Sequence, residues 1–393
     1  MKLLKLCLVA IATFTPFALT TLTAKAVTIT FDSSVGSPGF GPGELFVPQG
    51  VGVGPDNNVY VANGRGIDPL TGEFVPEVGN KIEVFSPDGE YLRSVGIGGK
   101  GIGELDEPGA IKFDPTSGNL YVGDVFNSEI DIYDPLSGDF VGSFGSFSGQ
   151  VANRPFFGPG GFDFDAKGDI YVPDFSGDEI KVYNRAGELT KTIGTSGSAP
   201  REFLGPAAVG ISDKTGNLYI TDQFNNRIQV LNSDGDFLFA FGTEGTDPGQ
   251  FNEPIGLDVD ESDNIYVADS QNGRVQVFDS KGNFLSQYGE PARSADGKVV
   301  PPPMLGEAPF GDPLVLEPGV FNWTAGLEYE DETLYVGDFF QGRVQILNVD
   351  NIGTDGNDKA SVPEPGAIIG ILFVGTLGLL SHRDNNRDKT EIA

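Results

Sequence analysis

Five aspartates at equivalent places in a repeated pattern are the residues best suited to chemistry. Each ends a segment of the form Tyr-Val/Ile-x-Asp, and a sixth copy ends in Asn63; the aspartates are Asp124, Asp174, Asp222, Asp269 and Asp338. Five carboxylates brought to one ring could hold a hard cation such as Ca²⁺ through oxygen ligands. Alternatively, each aspartate fixes its own loop by accepting backbone N–H groups or by pairing with a nearby arginine.

The residues that follow these aspartates separate the two interpretations. Arg227, Arg274 and Arg343 stand five positions after their aspartates, which favours the local role. Glu129 and Glu179 occupy the same offset in the second and third copies, so those copies have no local countercharge at that position. If a cation binds at all, it is predicted there.

The sequence has few residues that could support other kinds of catalysis. Cys7 is the only cysteine and His382 the only histidine, so the body between them lacks both residue types. This excludes Cys/His zinc sites, Ser-His-Asp triads and histidine-based proton transfer for that body. The 56 Asp and Glu outnumber 25 Lys and Arg, and the formal charge of −31 excludes nucleic acid as a partner. We expect no cofactor, with Ca²⁺ as the one possible ion.

The repeated pattern also predicts the fold. The 56 Gly and 27 Pro leave little room for long helices. Around the fifth copy, four short alternating or β-branched runs are bounded by turn residues: Gly256–Asp260, Asn264–Asp269, Arg274–Asp279 and Phe284–Gly289. Four strands per unit and six units predict an all-β, six-bladed propeller over 27–350.

The two ends of the repeat region predict how the ring closes. The sixth unit supplies only three strands, predicted at Ala325–Glu330, Thr333–Asp338 and Arg343–Asn348. The run Phe31–Gly36 matches the fourth strands Tyr91–Gly96 and Phe140–Gly145 in pattern. The N-terminal strand is therefore predicted to complete the last blade and to cover its edge.

Two stretches share one further pattern: Asp222 with Asn225-Asn226-Arg227-Ile228-Gln229-Val230, and Asp269 with Asn272-Gly273-Arg274-Val275-Gln276-Val277. Both resemble the NHL repeat family. The resemblance extends over 27–350 and implies a six-bladed propeller of the NHL/TolB-like type. Related propellers include histidine-dependent lyases and amidating enzymes, whose chemistry cannot be carried over. The gluconolactonase group implies an alternative, a calcium-dependent lactonase or esterase, for which Asp174 and Asp222 are the nominated carboxylates.

One face of the propeller is predicted to bind a ligand. Insertions at 65–78 and 290–317 fall in loops on the face that carries the strand-two to strand-three turns, and they lie in neighbouring blades once the ring closes. The only tryptophan, Trp323, aligns with Glu253 at the rim of that face. Trp323 could stack on a sugar or anchor a peptide, or it could be packing beneath the insertion. The candidate ligand-binding residues are Trp323, Asn322, Gln49, Glu107 and Glu253.

The N-terminal residues 1–26 have the features of a secretory signal peptide. Lys2 and Lys5 precede an apolar run that ends at Leu22, and Ala24-Lys25-Ala26 follows, with cleavage expected after Ala26. An N-terminal membrane anchor is the alternative. Residues 351–361 are interpreted as a linker.

The C-terminal residues 362–393 resemble a PEP-CTERM sorting signal. Val362-Pro363-Glu364-Pro365 precede an uncharged stretch, Gly366–Leu380, and then Arg383, Arg387 and Lys389. The resemblance implies a transmembrane segment over 366–381, processing by an exosortase near Pro363-Glu364-Pro365, and a bacterial protein at the cell surface. Asp384 and Asp388 depart from the usual basic tail. A plain single-pass anchor is the alternative.

These features together predict a non-enzymatic binding protein. It would cross the inner membrane with the secretion machinery, associate with the cell surface, and recognise a surface polysaccharide or protein through the decorated face. An acidic exterior repels anionic polymers, which favours neutral or cationic ligands.

Overall fold

The computed structural model describes residues 26–67, 74–149, 158–294, 297–299 and 314–352. These residues contain no α-helix, and their only helical turns are the 3₁₀ turns Gln223–Asn225, Ser270–Asn272 and Phe339–Gln341. Within the described ranges, no helix has the length and apolar character needed to cross a bilayer. The predicted transmembrane segment 366–381, the motif 362–365 and nearly all of the predicted signal peptide lie outside these ranges.

Six antiparallel four-stranded sheets confirm the predicted propeller. Blade 1 comprises Pro48–Val53, Val59–Ile67, Phe74–Phe85 and Tyr91–Val95; blade 2, Pro108–Phe113, Leu120–Asp124, Glu129–Tyr133 and Phe140–Phe144; blade 3, Asp163–Phe164, Ile170–Asp174, Glu179–Tyr183 and Leu189–Ile193. Blade 4 comprises Pro206–Ile211, Leu218–Asp222, Arg227–Leu231 and Phe237–Phe241; blade 5, Pro254–Val259, Ile265–Asp269, Arg274–Phe278 and Phe284–Tyr288; blade 6, Thr324–Glu330, Thr333–Asp338, Arg343–Ile352 and Ala26–Val35. Each period-two run forms a strand because it can bury one face or both between neighbouring sheets.

The N-terminal strand closes the ring as predicted. Ala26–Val35 pairs antiparallel with Arg343–Ile352, from Ala26 opposite Ile352 to Val35 opposite Val344, with one irregularity between Phe31 and Ser33. The third strand of blade 6 is longer than predicted, since it continues to Ile352. Covering this edge removes the unpaired N–H and C=O groups that would otherwise invite association.

The core lies between neighbouring blades. One cluster joins Tyr60 and Ile82 of blade 1 to Ile111 and Val122 of blade 2, and equivalent clusters recur between the other blades. The recurring tyrosine of the sequence pattern is almost fully buried in blades 1, 4 and 5. Residues that alternate along a strand face opposite sides of the sheet, so each blade contributes to the cores on both of its sides.

The first strands of the six blades surround a central channel. A small residue stands at one equivalent position in every blade: Gly50, Ala110, Gly161, Ala208, Gly256 and Gly326. A Cβ atom at Gly326 would lie 2.4 Å from the carbonyl oxygen of Gln49, and one at Gly256 would lie 2.5 Å from that of Ala325. The small residues therefore allow the first strands to approach one another closely.

The two insertions differ in structure. In blade 1 the insertion extends the strand-two to strand-three hairpin, pairing Arg65 with Gly79 and Ile67 with Phe74. This part of the insertion was predicted to be a loop, and it is strand instead. The insertion before blade 6 is bounded by a short parallel pair, Glu290–Pro291 with Val320–Phe321. Two similar pairs, Ser37–Pro38 with Glu44–Leu45 and Thr195–Ser196 with Glu202–Phe203, fix other connections between blades.

Candidate functional site

A cavity at the mouth of the central channel receives residues from all six blades. Its volume is about 140 Å³. At the mouth it is lined by the side chains Gln49, Val125, Phe175, Gln223, Trp323 and Phe339, and lower down by the ring of small residues. Val125, Phe175, Gln223 and Phe339 each follow the aspartate that ends a second strand, so the cavity opens on the face that carries the strand-two to strand-three turns.

Several residues at the rim of this cavity have a strained backbone conformation. The residue before each first strand has a left-handed backbone in blades 2, 4, 5 and 6, at Glu107, Gly205, Glu253 and Trp323. In blade 3 the equivalent residue is Gly158, which precedes the bridge between Pro159 and Asp174. The five φ angles lie between 52° and 79°. Glycine adopts this conformation freely, whereas other residues do so at a cost of roughly 1 kcal/mol or more. Three blades therefore retain a large side chain where glycine would be less strained, which points to a use for those side chains at the rim.

Two of these strained residues position glutamine amides. The Nε2 of Gln49 donates to Oε1 of Glu107, and the Nε2 of Gln223 donates to Oε2 of Glu253 at 3.3 Å. Gln49 and Gln223 line the cavity, whereas Glu107 and Glu253 hold them from outside its wall. The predicted residues Gln49, Glu107 and Glu253 thus belong to the same rim, and Gln223 is a member that the sequence did not indicate.

Trp323 lies at the cavity wall and also contacts other aromatic rings. Its ring centroid is 6.1 Å from that of Phe339 and 5.6 Å from that of Phe340. The side chain is partly buried and lines the cavity, so it both packs and presents surface. Asn322, beside it, is buried, and its Nδ2 has no hydrogen-bond partner among the residues that the structure describes.

Four charged residues meet in the lower part of the channel. Lys112, Asp163, Asp258 and Glu328 each stand opposite the recurring tyrosine of their blade, at the position where blades 1 and 4 have glycine. The Nζ of Lys112 lies 2.7 Å from Oε2 of Glu328 and 3.5 Å from Oδ2 of Asp258. This cluster was not predicted, although aligning the first strands on the recurring tyrosines puts four charged residues at one repeat position.

Burial controls the protonation of this channel cluster. Desolvation raises the pKa of Glu328 to about 8 and that of Asp163 to about 6, although Lys112 opposes both shifts. Burial alone would lower the pKa of Lys112, but the carboxylates of Asp258 and Glu328 raise it well above its usual value. With Lys112 charged, the cluster stays negative or neutral, which makes the channel unfavourable for an anionic group.

The aspartates at the strand ends are all completely buried and are used within their own blades. Asp222, Asp269 and Asp338 each accept a backbone N–H from the preceding connection, at 2.7 to 2.8 Å. Each also pairs with the arginine five residues later, at 2.7 to 3.0 Å. Asn63 accepts the N–H of Phe46 in the same way.

The aspartates of blades 2 and 3 have different partners. Asp174 accepts from the N–H of Ser148 and lies 2.7 Å from Nζ of Lys181, so the expectation that this blade lacks a local countercharge is wrong; the cation comes from seven residues later. Asp124 accepts from the N–H of Asp106 and from Nδ2 of Asn127. Burial raises the pKa of Asp124 to about 7. Across the described part of the chain, no three Asp, Glu, His or Cys side chains form a metal-holding group by themselves.

Comparisons with known proteins agree with this architecture. The NHL repeat family matches residues 251–278, which contain most of blade 5. No curated protein sequence matches the chain. Many solved structures are similar in fold, and three of them serve as examples. A protein of unknown function from Bacteroides thetaiotaomicron is 17% identical with a TM-score of 0.56, covering 83% of this chain and 76% of its own. An auxiliary nutrient binding protein from the same organism is 14% identical with a TM-score of 0.55, covering 83% and 77%. Virginiamycin B lyase from Staphylococcus aureus is 12% identical with a TM-score of 0.50, covering 82% and 99%. At these identities the likeness concerns the fold alone.

Proposed function

We propose that this propeller is a non-enzymatic binding protein that takes a single neutral sugar residue of a polysaccharide into the cavity at the mouth of its channel. The observation that carries the proposal is the composition of that cavity. Trp323 and Phe339 offer aromatic surface, and Gln49 and Gln223 offer amides that two glutamates hold in place. Apolar walls with a few fixed polar groups are typical of small-ligand sites.

The size of the cavity limits what can enter. A cavity of about 150 Å³ accommodates one benzene ring, and the cavity here is of similar volume, about 140 Å³. At most one sugar ring can therefore enter, and because its hydroxyl groups make it larger than benzene, part of it must stay at the open mouth. A chain of several sugars must extend over the face outside. Recognition of one terminal or protruding residue, with further contacts on the decorated face, follows from this limit.

The chemistry of the cavity favours a neutral sugar. The apolar face of a sugar ring can pack on Trp323, and its hydroxyls can exchange hydrogen bonds with the amides of Gln49 and Gln223. An anionic sugar would meet no free positive charge lower in the channel, because the ammonium group of Lys112 is already paired with Asp258 and Glu328. The auxiliary nutrient binding protein among the similar structures is compatible with a binding role for such a fold.

The cellular setting is proposed from the two ends of the chain. The signal-peptide features of 1–26 and the sorting-signal resemblance of 362–393 support export across the inner membrane, processing by an exosortase and association with the cell surface. A binding protein in that place would meet extracellular or surface polysaccharides.

Binding to a panel of neutral and acidic polysaccharides and their monosaccharides tests the proposal. Trp323→Gly is the sharpest variant, because glycine already occupies the equivalent left-handed position in two blades, so the side chain is lost without backbone strain. Phe284→Ala, which removes a partly exposed aromatic side chain on an outer strand, is the matched control. We expect Trp323→Gly to weaken binding at least tenfold and Phe284→Ala to leave it unchanged. Equal binding by both variants, or preference for acidic polymers, would refute the proposed site.

A further inference from the structure

A repeated slot for a positive charge lies beside the buried aspartate in blades 4 to 6. In blade 5, Oδ2 of Asp269 accepts from Nε of Arg274 at 2.8 Å and from Nε2 of Gln276 at 2.9 Å. The guanidinium and the amide also donate to the carbonyl oxygen of Gln250. Blades 4 and 6 repeat this arrangement with the pairs Arg227/Gln229 and Arg343/Gln345. The slot is therefore lined by oxygen atoms and filled by a side-chain cation.

Blade 3 fills the same slot differently. Glu179 replaces the arginine, but Lys181 replaces the glutamine. The Nζ of Lys181 lies 2.7 Å from Oδ2 of Asp174 and donates to the carbonyl oxygen of Ser146 at 2.7 Å. The residue type has changed, but a positive charge still occupies the place beside the aspartate.

Blade 2 has the same slot, but no lysine or arginine among the described residues fills it. Glu129 stands at the arginine position and Asp131 at the glutamine position, on the strand that pairs with the one ending in Asp124. The formal charge of the three residues is therefore −3, whereas Asp and Arg cancel in blades 4 to 6. Asp131 is completely buried, and no described N–H or O–H group donates to either of its carboxylate oxygens. Its polar neighbour is the carboxyl group of Asp124. Two buried carboxylates side by side repel each other, so either a shared proton or a bound cation must compensate them.

We propose that blade 2 binds a hard metal cation of the Ca²⁺ type between Asp124 and Asp131, in the place that Arg and Lys occupy in other blades. The strand register puts Asp124, Glu129 and Asp131 on one face of the sheet. The carbonyl oxygen of Glu104 corresponds to that of Gln250 in blade 5, so a further oxygen atom lies at the same place in the slot. It accepts a hydrogen bond from Nδ2 of Asn127.

The ligand set suits such an ion. Ca²⁺ is coordinated by carboxylate, main-chain carbonyl and water oxygens in variable geometry. Side chains alone do not complete the site, so carbonyl oxygens and water would supply the remaining ligands. Glu129 is only partly buried, and its Oε2 accepts from Oγ of the exposed Ser143, which places one carboxylate at the solvent side of the slot. An ion could enter from that side.

Calorimetric titration of Ca²⁺ into the chelator-treated protein, with thermal unfolding in Ca²⁺ and in EDTA, tests this inference. We expect one ion per chain and a midpoint that rises by several degrees at 100 times the Kd. Asp131→Gln should abolish both signals. The double variant Glu129→Arg/Asp131→Gln installs the arrangement of blades 4 to 6. It should therefore unfold at a high temperature even without Ca²⁺, and its midpoint should not change when Ca²⁺ is added.

The control variant is Glu179→Gln in blade 3, which removes a carboxylate at the equivalent position and should keep the full response to Ca²⁺. If Asp131→Gln does not fold, the double variant still decides the matter, because it supplies its own cation. No binding to the wild-type protein at millimolar Ca²⁺ would overturn the proposal and would indicate a proton between the two carboxylates. An unchanged Ca²⁺ response in the double variant would overturn it as well. Neither result depends on sugar binding.

Discussion

Replacing Lys112 by methionine is the most informative perturbation of the channel. The Lys112 ammonium lies 2.7 Å from Oε2 of Glu328 and 3.5 Å from Oδ2 of Asp258, with Asp163 also close enough to influence it. Removing it leaves the buried Asp258 and Glu328 and the partly buried Asp163 without a countercharge. Breaking a buried ion pair in this way costs about 3–5 kcal/mol of unfolding free energy.

Neutralising one of the carboxyl groups should cost much less unfolding free energy than removing the lysine. Glu328→Gln keeps Lys112 beside Asp258 and replaces one carboxylate by an amide of the same shape, so we expect a loss of at most about 1 kcal/mol. Equilibrium urea unfolding at pH 7 of both variants and of the double variant measures the asymmetry. The Lys112→Met deficit should also shrink from pH 7 towards pH 5, because Asp163, whose pKa burial raises to about 6, takes up a proton in that range. Equal losses for the two single variants, or a deficit that does not vary with pH, would refute this account of the channel.

Three further predictions concern the pH profile, the ring closure and the channel wall. Because burial raises the pKa of Glu328 to about 8, the folded state holds a proton that the unfolded state loses above its ordinary carboxyl pKa. Stability should therefore fall as pH rises from about 4.5 to 8, by at most about 1.4 kcal/mol per unit for this proton, and Glu328→Gln should flatten urea unfolding profiles over that range. Ile29→Ala in the closing strand should cost about 2–5 kcal/mol in urea unfolding, whereas the exposed neighbour Thr30→Ala should cost little; similar values would argue against burial of this strand. Gly256→Ala should lower the thermal midpoint by several degrees, because its Cβ would lie 2.5 Å from a carbonyl oxygen of blade 6, whereas Gly142→Ala, with no atom within 4 Å, should not; a tolerated Gly256→Ala would contradict the close approach.

The candidate site was predictable only in part. Aligning Trp323 with Glu253 placed both at the rim, because the repeat fixes which residues precede a first strand. The alignment could not show that Trp323 lines the cavity while Glu253 holds Gln223 from behind. Side-chain direction at a left-handed position depends on the packing around it, which local sequence does not encode.

The sequence by itself determined the repeat, the number of blades and the strand that closes the ring. These follow from short-range patterns, since alternation, turn residues and a recurring Tyr-Val-x-Asp segment act within each unit. The blade-2 slot was also partly readable, because Glu129 stands where Arg227 and Arg274 stand in other units.

Only the tertiary structure decided which residues from different blades meet. Lys112 and Glu328 are 216 positions apart, yet the ammonium group of Lys112 donates a hydrogen bond to Glu328 because ring closure brings their first strands to the same level. The partner of Asp174 was likewise settled by strand register, which puts Lys181 beside it. The pairing of Lys112 with Glu328 depends on how the sheets pack around a common axis, and a pattern confined to one blade carries no information about a blade elsewhere in the ring.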